Sequence, residues 1–406
     1  MTSTNSASAG PTRRDLLRAA VASGAIAALP VGLAGPASAA PAAASAPVGG
    51  FFIGGDGRLC GADAGSTGPL VGSAIGPPGG DLSVVRRSDG GLALFTIGSH
   101  GGLIAGFTSA TGSGMSFVRH PQGGLAPPGG RIVAVEGQTG THVHFTGSNG
   151  AIYHTTYGRS GSVIVPIASV VPAGTVRPST PLAAFQSSAG DRFGVAFVGG
   201  NGGVHTSVGR LGSGSAGPIA IWTTIAATPA NVAAPGSPVA AASGSAGASA
   251  FFTGTDGRLW RIPFASLTPQ PLVALSGPGA VPTGASLAAT LAPTGEFVVT
   301  YAGADGAIRA ATDAFGAVPD PWVIGPPAVH VAGNPLALVY GGDDYLYIGW
   351  CGLDRWFWLI WWWLRRRIPP PPPPPDPYHE LRQIISVNPT RPNYNVGVAL
   401  RGLVGR

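Results

Sequence analysis

Lysine does not occur in this chain of 406 residues, so arginine and the N-terminus supply its fixed positive charge. Charged residues make up only 10% of the sequence, and there are two cysteines. The use of arginine alone is typical of GC-rich coding DNA and indicates no function. Hydrophobic residues reach 44%, which is ample material for a buried core.

The charge is unevenly distributed along the chain. Of a formal net charge of +6, residues 1–39 carry +2 and residues 351–406 carry +5, whereas residues 40–350 carry −1. A nucleic-acid-binding surface needs a basic patch or stripe. The middle of the chain has no excess of positive charge to form one, so we expect no nucleic-acid partner.

Glutamate is also scarce, with only Glu136 and Glu296 between residues 40 and 353. Several aspartates precede or flank glycine, as in Asp56-Gly57, where aspartate favours turns because its side chain bonds the nearby backbone. A glycosidase needs two carboxyl groups flanking the scissile bond. No pair of acids here has that character, so we expect neither an enzyme nor a cofactor.

Glycine and proline are abundant, at 66 and 40 residues, and favour many short strands over long helices. One motif recurs among them, which we call the hexad: aromatic-x-Gly-x-Asp/Asn-Gly. Complete copies lie at 52–57, 145–150, 197–202, 252–257 and 301–306, with looser copies at 95–101 and 347–354. An Asp-Gly or Asn-Gly pair between apolar runs is a strong hairpin signal, so each copy predicts two antiparallel strands.

Other strands surround each hexad. A small-residue strand such as 181–185 precedes it, and an outer strand such as 219–225 follows several copies. Four short strands in roughly 50 residues are typical of a propeller blade. The sequence predicts an all-β, seven-bladed β-propeller over 40–364, with small-residue strands nearest the axis. The first blade lacks a full small-residue strand, so we expect the other terminus to close the ring.

The N-terminal segment resembles a twin-arginine export signal. Arg13 and Arg14 precede a mildly apolar run, and Ala37-Ser-Ala39 offers a small-x-small cleavage site. The sequence therefore predicts a signal peptide over 1–39 and a secreted protein. A short membrane anchor is the alternative, although the run is short for the ~20 residues of a span.

The C-terminal segment differs in composition, with six of the nine tryptophans between Trp350 and Trp363 and a run of seven prolines at 369–375. The Trp-rich stretch is too short to span a membrane. Three interpretations remain open: a final blade strand, a segment at a membrane interface, or a reading-frame artefact of GC-rich DNA. Residues 365–406 are predicted to be disordered.

Histidine and cysteine invite two further hypotheses. His142, His144 and His154 should lie close together on adjacent strands and could hold zinc, but no carboxylate or cysteine joins them. Polar decoration of a half-exposed blade is favoured, so no metal is expected. Cys60 and Cys351 fall in the first and last blades, and export into an oxidising compartment favours a disulfide between them.

The repeat as a whole resembles that of seven-bladed bacterial fucose-binding propeller lectins and, more distantly, tachylectin-type lectins, over about 40–353. In that family a tryptophan follows the hexad Asp by four residues, and sugars bind between blades against such rings. The resemblance implies ligand-binding roles for Trp260, Tyr153 and His205 at that position, and for the outer-strand Trp222 and Trp322. Ile104, Arg309 and Cys60 occupy the position elsewhere, so most pockets lack the aromatic ring.

Two functional classes follow. The first is a secreted, non-catalytic lectin-like propeller that binds cell-surface or environmental glycans. The alternative is a structural or protein-interaction propeller that has lost its sugar sites, because a fold does not fix a function. A propeller glycoside hydrolase is a distant third.

The export signal yields a direct prediction. N-terminal sequencing of the secreted protein should begin at Ala40, because the small side chains of Ala37 and Ala39 fit the cleavage site. A secreted N-terminus upstream of Ala40, or retention in the membrane, would contradict it.

Overall fold

Short antiparallel strands separated by Gly- and Pro-containing turns build every sheet in the structure. The computed structural model describes residues 50–324, except 55, 63–66, 79, 109–114, 159, 215–216, 245–246, 293–294 and 314–320, and then the strands 336–340, 345–351, 357–363, 385–387 and 399–400. All of them belong to the unit Ala46–Arg406. The predicted signal peptide and proline run lie outside the described residues.

The strands group into seven sheets, numbered here in chain order. Sheet 1 contains β1 (Gly50–Ile53), β2 (Leu59–Ala62) and β3 (Thr67–Pro69). Sheet 2 contains β4 (Leu82–Arg86), β5 (Leu92–Ile97), β6 (Leu103–Thr108) and β7 (Met115–Arg119). Sheet 3 contains β8 (Ile132–Glu136), β9 (Thr141–Thr146), β10 (Ile152–Tyr157) and β11 (Val163–Val171). Sheet 4 contains β12 (Leu182–Gln186), β13 (Arg192–Val198), β14 (Val204–Gly214) and β15 (Gly217–Ala226).

The remaining sheets come from the second half of the chain. Sheet 5 contains β16 (Val239–Gly244), β17 (Gly247–Thr253), β18 (Leu259–Ala265), β19 (Thr268–Pro269) and β20 (Val273–Ala274). Sheet 6 contains β21 (Leu287–Leu291), β22 (Phe297–Ala302), β23 (Ile308–Thr312) and β24 (Trp322–Val323). Sheet 7 contains β25 (Leu336–Tyr340), β26 (Tyr345–Cys351), β27 (Phe357–Trp363) and β28 (Ile385–Val387). The last strand, β29 (Ala399–Leu400), pairs with β1 in sheet 1.

Within the described residues, sheets 2 to 6 form five propeller blades. Each is an antiparallel meander built from one continuous stretch of chain. The hexads form the predicted hairpins between the second and third strands, as where Tyr153 pairs with Phe145 across the Asn149-Gly150 turn. An all-β propeller of short four-stranded blades is therefore confirmed. That sheets 1 and 7 are also blades, which would give a propeller of seven, stays a prediction.

The first strands of the blades lie side by side around a shared cavity of about 160 Å³. Its lining takes residues from the start of six consecutive sheets: Asp81, Arg131, Leu182, Val239, Leu287 and Leu336. Side chains bridge neighbouring first strands, since Asp81 Oδ2 accepts from the backbone N–H of Ile132 (3.1 Å). The strands rich in small residues thus face the middle of the ring, where converging blades leave least room.

Aromatic side chains fill the space between consecutive blades. Phe95 of sheet 2 contacts Tyr157 of sheet 3 with ring centroids 5.5 Å apart. Phe185 of sheet 4 stacks on Phe264 of sheet 5 at 4.5 Å. Because each sheet face is covered by the next sheet, every blade buries apolar surface that it could not bury alone. Full burial of one such side chain stabilises the fold by roughly 1.5–3 kcal/mol.

The hexad glycines link the turns of one blade to the loop that leads into the next. The last glycine has φ between 68° and 77° in all six hexads that the structure describes there, including Gly150 and Gly202. The Gly150 carbonyl accepts from the Val176 N–H (3.1 Å), while the preceding Thr175 carbonyl accepts from the Gly200 N–H in the next hexad (3.0 Å). The same double link recurs at Leu125–Ala126 and Val232–Ala233. Each of these loops therefore joins two successive hairpins by backbone hydrogen bonds.

The first and last strands that the structure describes share one sheet. Strand β29 pairs with β1 and contacts β4 and β25, so the far terminus supplies the strand that the first sheet lacks. Strands β28 (385–387) and β29 (399–400) lie within the tail 365–406 that the sequence predicts to be disordered, and the rest of that tail lies outside the described residues. The Trp-rich stretch forms β27, as in the first of its three interpretations, a strand of the last sheet. No helix within the described ranges is long and apolar enough to cross a membrane.

The glycine link can be tested with a matched pair of substitutions. A Cβ at Gly150 would meet the Val176 carbonyl oxygen, whereas one at Gly174, in the same loop region with φ of 78°, would meet nothing within 4 Å. Gly174→Ala should cost only the backbone strain, about 1–2 kcal/mol. Gly150→Ala should cost about 3 kcal/mol, because overpacking adds to the strain. Urea unfolding measures both, and equal losses would refute the link.

Candidate functional site

The acid or amide of each hexad caps its own turn. Asp256 Oδ1 accepts from the Arg258 N–H (3.0 Å), and Asn201 Oδ1 accepts from the Gly203 N–H (2.9 Å). The same bond recurs at Asp56, Asn149 and Asp305. These side chains therefore hold the hairpin turn, as the sequence indicated for the aspartates.

The residue four positions after the acid folds back over the same turn. Trp260 Nε1 donates to Asp256 Oδ1 (3.2 Å), and Asn149 donates to the Tyr153 hydroxyl oxygen (3.0 Å). His205 Nε2 lies 3.3 Å from Asn201 Oδ1. The first hexad glycine makes room for this side chain: a Cβ at Gly147 would lie 2.5 Å from the Tyr153 ring. The same arrangement holds for Gly199 with His205 and Gly254 with Trp260.

Trp260, Tyr153 and His205 are therefore equivalent positions in three different sheets, and the structure does not bring them into one site. The Tyr153 ring stacks on Phe145 with centroids 5.4 Å apart, and the His205 ring stacks on Phe197 at 5.5 Å. Each ring is partly buried and lies beside the hexad turn of its own blade.

The two outer-strand tryptophans have different surroundings. Trp222 pairs with Gly209 of β14. Its ring contacts those of His144 and His154 in the neighbouring sheet, with centroid distances of 5.2 and 4.7 Å. Its Nε1 is buried and has no hydrogen-bond partner among the described residues. Trp222 therefore packs between sheets 3 and 4. Trp322, on β24, pairs with Ala310 of β23 and is partly buried.

The three histidines of sheet 3 do lie close together, but they are buried rather than half-exposed. His142 Nδ1 is 3.3 Å from His154 Nε2, and Thr156 Oγ1 lies within 3.3 Å of both atoms. Phe193 of sheet 4 stacks on His142 with centroids 3.4 Å apart. The rings form part of the packing between two blades, which corrects the expectation of exposed decoration. No metal-binding group of three or more ligands occurs within the described residues.

Burial dominates the electrostatics of this cluster. It lowers the pKa of both His142 and His144 to about 3, and lowers that of His154 well below its usual value. Mutual repulsion between the imidazolium forms contributes further to His144 and His154. The three rings are therefore neutral at pH 7.

Cys60 occupies the same position in sheet 1 that Trp260 occupies in sheet 5, and it bonds no cysteine whose side chain the structure describes. Its Sγ lies 3.8 Å from the Arg58 carbonyl oxygen, turned toward its own hexad. The predicted disulfide would also need Cys351, whose side chain lies outside the described residues, so the pairing stays a prediction. Burial raises the pKa of the Cys60 thiol, and the nearby Asp56 carboxylate raises it further.

A pocket of about 300 Å³ opens between the loop that leaves sheet 1 and the edge of sheet 2. We call it the sheet 1–2 pocket. Its apolar wall contains Ile75, Leu103 and Ile104. Its polar side chains are Ser99, His100, Arg119 and His120. It lies at a blade junction, where the sequence resemblance predicted ligand binding, but none of the five predicted ligand residues lines it.

Sequence reasoning missed most of this pocket. In the sequence His100 belongs to a loose hexad and Ile104 replaces an aromatic ring, and neither pattern predicts a pocket. Arg119 ends β7, where it pairs with Ile104, and its side chain is exposed. His120 Nδ1 accepts from the Gln122 N–H (3.2 Å), and burial lowers the His120 pKa. The replacement of Asp/Asn by His100 was the signal in the sequence that sheet 2 differs.

The buried histidines predict a pH dependence of stability. The unfolded chain protonates them near pH 6.5, while the folded state keeps His142 and His144 neutral to about pH 3. Stability from the cluster is therefore full above pH 6.5 and is lost as the pH falls toward 3. Together, the three rings should lower the free energy of unfolding by about 4 kcal/mol for each pH unit between roughly pH 5.5 and 4.

Replacing one ring isolates this effect. Neither nitrogen of His144 has a hydrogen-bond partner among the described residues, so His144→Leu should reduce the slope by about 1.4 kcal/mol per pH unit. His100→Gln is the control, because His100 is exposed. Thermal unfolding from pH 7 to 4 measures the slope, and an unchanged slope in His144→Leu would refute the assignment.

Comparison with known proteins gives the fold. No protein-family model matches the sequence, and no curated protein matches it. The structure is similar to the BP39L lectin from Burkholderia pseudomallei, with a TM-score of 0.64 and 22% identity over 77% of this chain and 91% of that one. It is also similar to AofleA from Arthrobotrys oligospora, with a TM-score of 0.53 and 13% identity over 81% of this chain and 90% of that one. These likenesses establish a shared β-propeller fold.

Proposed function

We propose that this protein is a secreted, non-catalytic, lectin-like propeller that binds a glycan in the sheet 1–2 pocket. The observation that carries the proposal is the pocket itself, which combines an apolar wall with a few polar side chains in about 300 Å³. Ligand sites in proteins typically begin near this size and have this mixture of surfaces.

The pocket suits one face of a sugar ring. Ile75 and Ile104 are buried and offer an aliphatic surface for the C–H face of a pyranose. Ser99 and Arg119 stand exposed at the same pocket and can bond the ring's oxygens. This pocket differs from an aromatic platform in that its apolar wall is aliphatic.

The blade count is part of the proposal. We propose that sheets 1 and 7 are blades like sheets 2 to 6, and that β29 closes a ring of seven by pairing with β1. The contacts of β29 with β4 and β25 support this closure. The similar BP39L is described as a lectin, which agrees with a glycan-binding role for this propeller.

The aromatic residues at the other blade edges are proposed as weaker subsites. Trp260, Tyr153 and His205 each present a partly buried ring beside a hexad turn. Trp260 also lies within 5.8 Å of the Arg258 guanidinium. Trp322 remains a candidate, whereas Trp222 is proposed to act in packing.

Export through the twin-arginine pathway is proposed from residues 1–39, and a secreted protein would meet environmental or cell-surface glycans. This pathway carries chains that have already folded, which suits a ring whose last strand pairs with its first.

A second candidate function is a protein-interaction scaffold. Strand β15 is ten residues long, carries no charged side chain and is the outermost strand of sheet 4. Ile221 and Ile225 on it are 46% and 37% exposed. An uncharged outer edge of this length can pair with a strand of another protein.

A glycan array of the secreted protein tests the main proposal. Ser99→Trp should reduce binding at least about tenfold, because a large ring at this exposed position would fill the pocket mouth. Ser148→Trp is the matched control, since Ser148 is also exposed and occupies the same hexad position in sheet 3. Equal binding by both variants would place the glycan elsewhere. A blank array with a captured protein partner would favour the scaffold.

Trp260→Ala tests the proposed subsite separately. Loss of the ring should weaken binding of an oligosaccharide that reaches sheet 5, by roughly 1 kcal/mol of stacking, while leaving a monosaccharide in the sheet 1–2 pocket unaffected. Calorimetric titration of both ligands measures the difference. No change for any ligand would remove Trp260 from the binding surface.

A further inference from the structure

We propose that the sheet 1–2 pocket selects an acidic saccharide, one that carries a carboxylate, over a neutral sugar. This inference rests on the proposed glycan-binding function and names the class of ligand for that site.

The first support is the set of polar side chains in the pocket. They are Ser99, His100, Arg119 and His120, and neither a carboxylate nor a carboxamide is among the described lining residues. A neutral sugar presents hydroxyl groups, which donate as well as accept hydrogen bonds, and carboxylate or amide oxygens are the usual acceptors for them. A carboxylate ligand only accepts, and therefore matches a pocket rich in donors.

The second support is the hexad of sheet 2. The position held by Asp56, Asn149, Asn201, Asp256 and Asp305 in other sheets is held here by His100. In those sheets the acid or amide oxygen accepts a backbone N–H within the turn. The replacement removes an oxygen acceptor from the one hexad that lines this pocket, and puts an imidazole in its place.

The buried histidine reinforces the donor character. His120 Nδ1 accepts the Gln122 N–H (3.2 Å), so the proton of the neutral ring resides on Nε2. Burial lowers the His120 pKa, which keeps the ring in this neutral form at pH 7. His120 is therefore a fixed N–H donor beside Arg119 in the wall of the pocket.

No acidic residue that the structure describes compensates the charge of Arg119. Arg58, Arg87, Arg131, Arg258, Arg261 and Arg309 each pair with an aspartate. Arg119 forms no ion pair with any residue that the structure describes. The apolar wall of Ile75, Leu103 and Ile104 lowers the local dielectric and strengthens the attraction of an anion. A guanidinium also matches a carboxylate by two parallel hydrogen bonds.

The experiment compares trigalacturonate with its methyl ester, in which each carboxylate is replaced by an uncharged ester on the same sugar backbone. Calorimetric titration of the full secreted chain at pH 7 should show that the free acid binds at least about tenfold more tightly than the ester. Added salt should weaken binding of the acid and leave the ester unaffected. Equal affinities, or tighter binding of the ester, would overturn the inference.

Substitution assigns the preference to the pocket. Arg119→Gln keeps a donor but removes the charge, and should abolish most of the preference for the acid. Arg210→Gln is the matched control, because Arg210 is also an exposed strand arginine but lies in sheet 4, outside the pocket. An unchanged preference in Arg119→Gln would overturn the inference.

The outcomes also separate the two proposals. If methyl α-L-fucoside binds and Ser99→Trp blocks it while trigalacturonate fails to bind, the acidic preference is wrong and glycan binding stands. If neither these ligands nor any other glycan on the array binds, both proposals fail.

Discussion

A backbone hydrogen bond to the carbonyl of the last hexad glycine, present in five of the described hexads, is the contact on which the joining of the blades depends. The glycine takes a left-handed conformation that ends the hairpin, and its carbonyl then accepts from the loop leading to the next blade, as at Gly150 and Val176. The neighbouring residue of that loop bonds the next hexad. Because the link is made by backbone atoms, the side chains of the loop remain free to vary from blade to blade.

The same geometry decides where side chains can act. The first hexad glycine leaves a space that the side chain six residues later fills, with a tyrosine, histidine, tryptophan or arginine in different sheets. Where that side chain reaches back to an acid or amide, both groups are engaged within the turn. In sheet 2 the pair is Ile104 and His100, which line the pocket instead. The residues at these two positions of the repeat therefore decide whether a hairpin turn is hydrogen-bonded internally or lines a pocket.

Histidine has opposite roles in two parts of the ring. The cluster of His142, His144 and His154 is covered by Phe193 and Trp222 of the next blade, so burial keeps it neutral and makes it part of the core. His120 is also buried, but it lies beside an exposed arginine at a pocket. The difference arises from what the adjacent blade places opposite each histidine, and not from the histidines' own strands.

The sequence by itself determined the strand type, the hairpins and the repeat, because Asn-Gly and Asp-Gly turns and strand alternation are local properties of the chain. It also indicated that the far terminus would supply the strand missing from sheet 1, since an incomplete repeat leaves an open edge. Only the tertiary structure decided that Trp222 packs against histidines and that Arg119 meets His100 at a pocket. Each of these depends on which faces of separate strands or blades meet across a junction, and the distances across such junctions are set by packing that no short stretch of sequence contains.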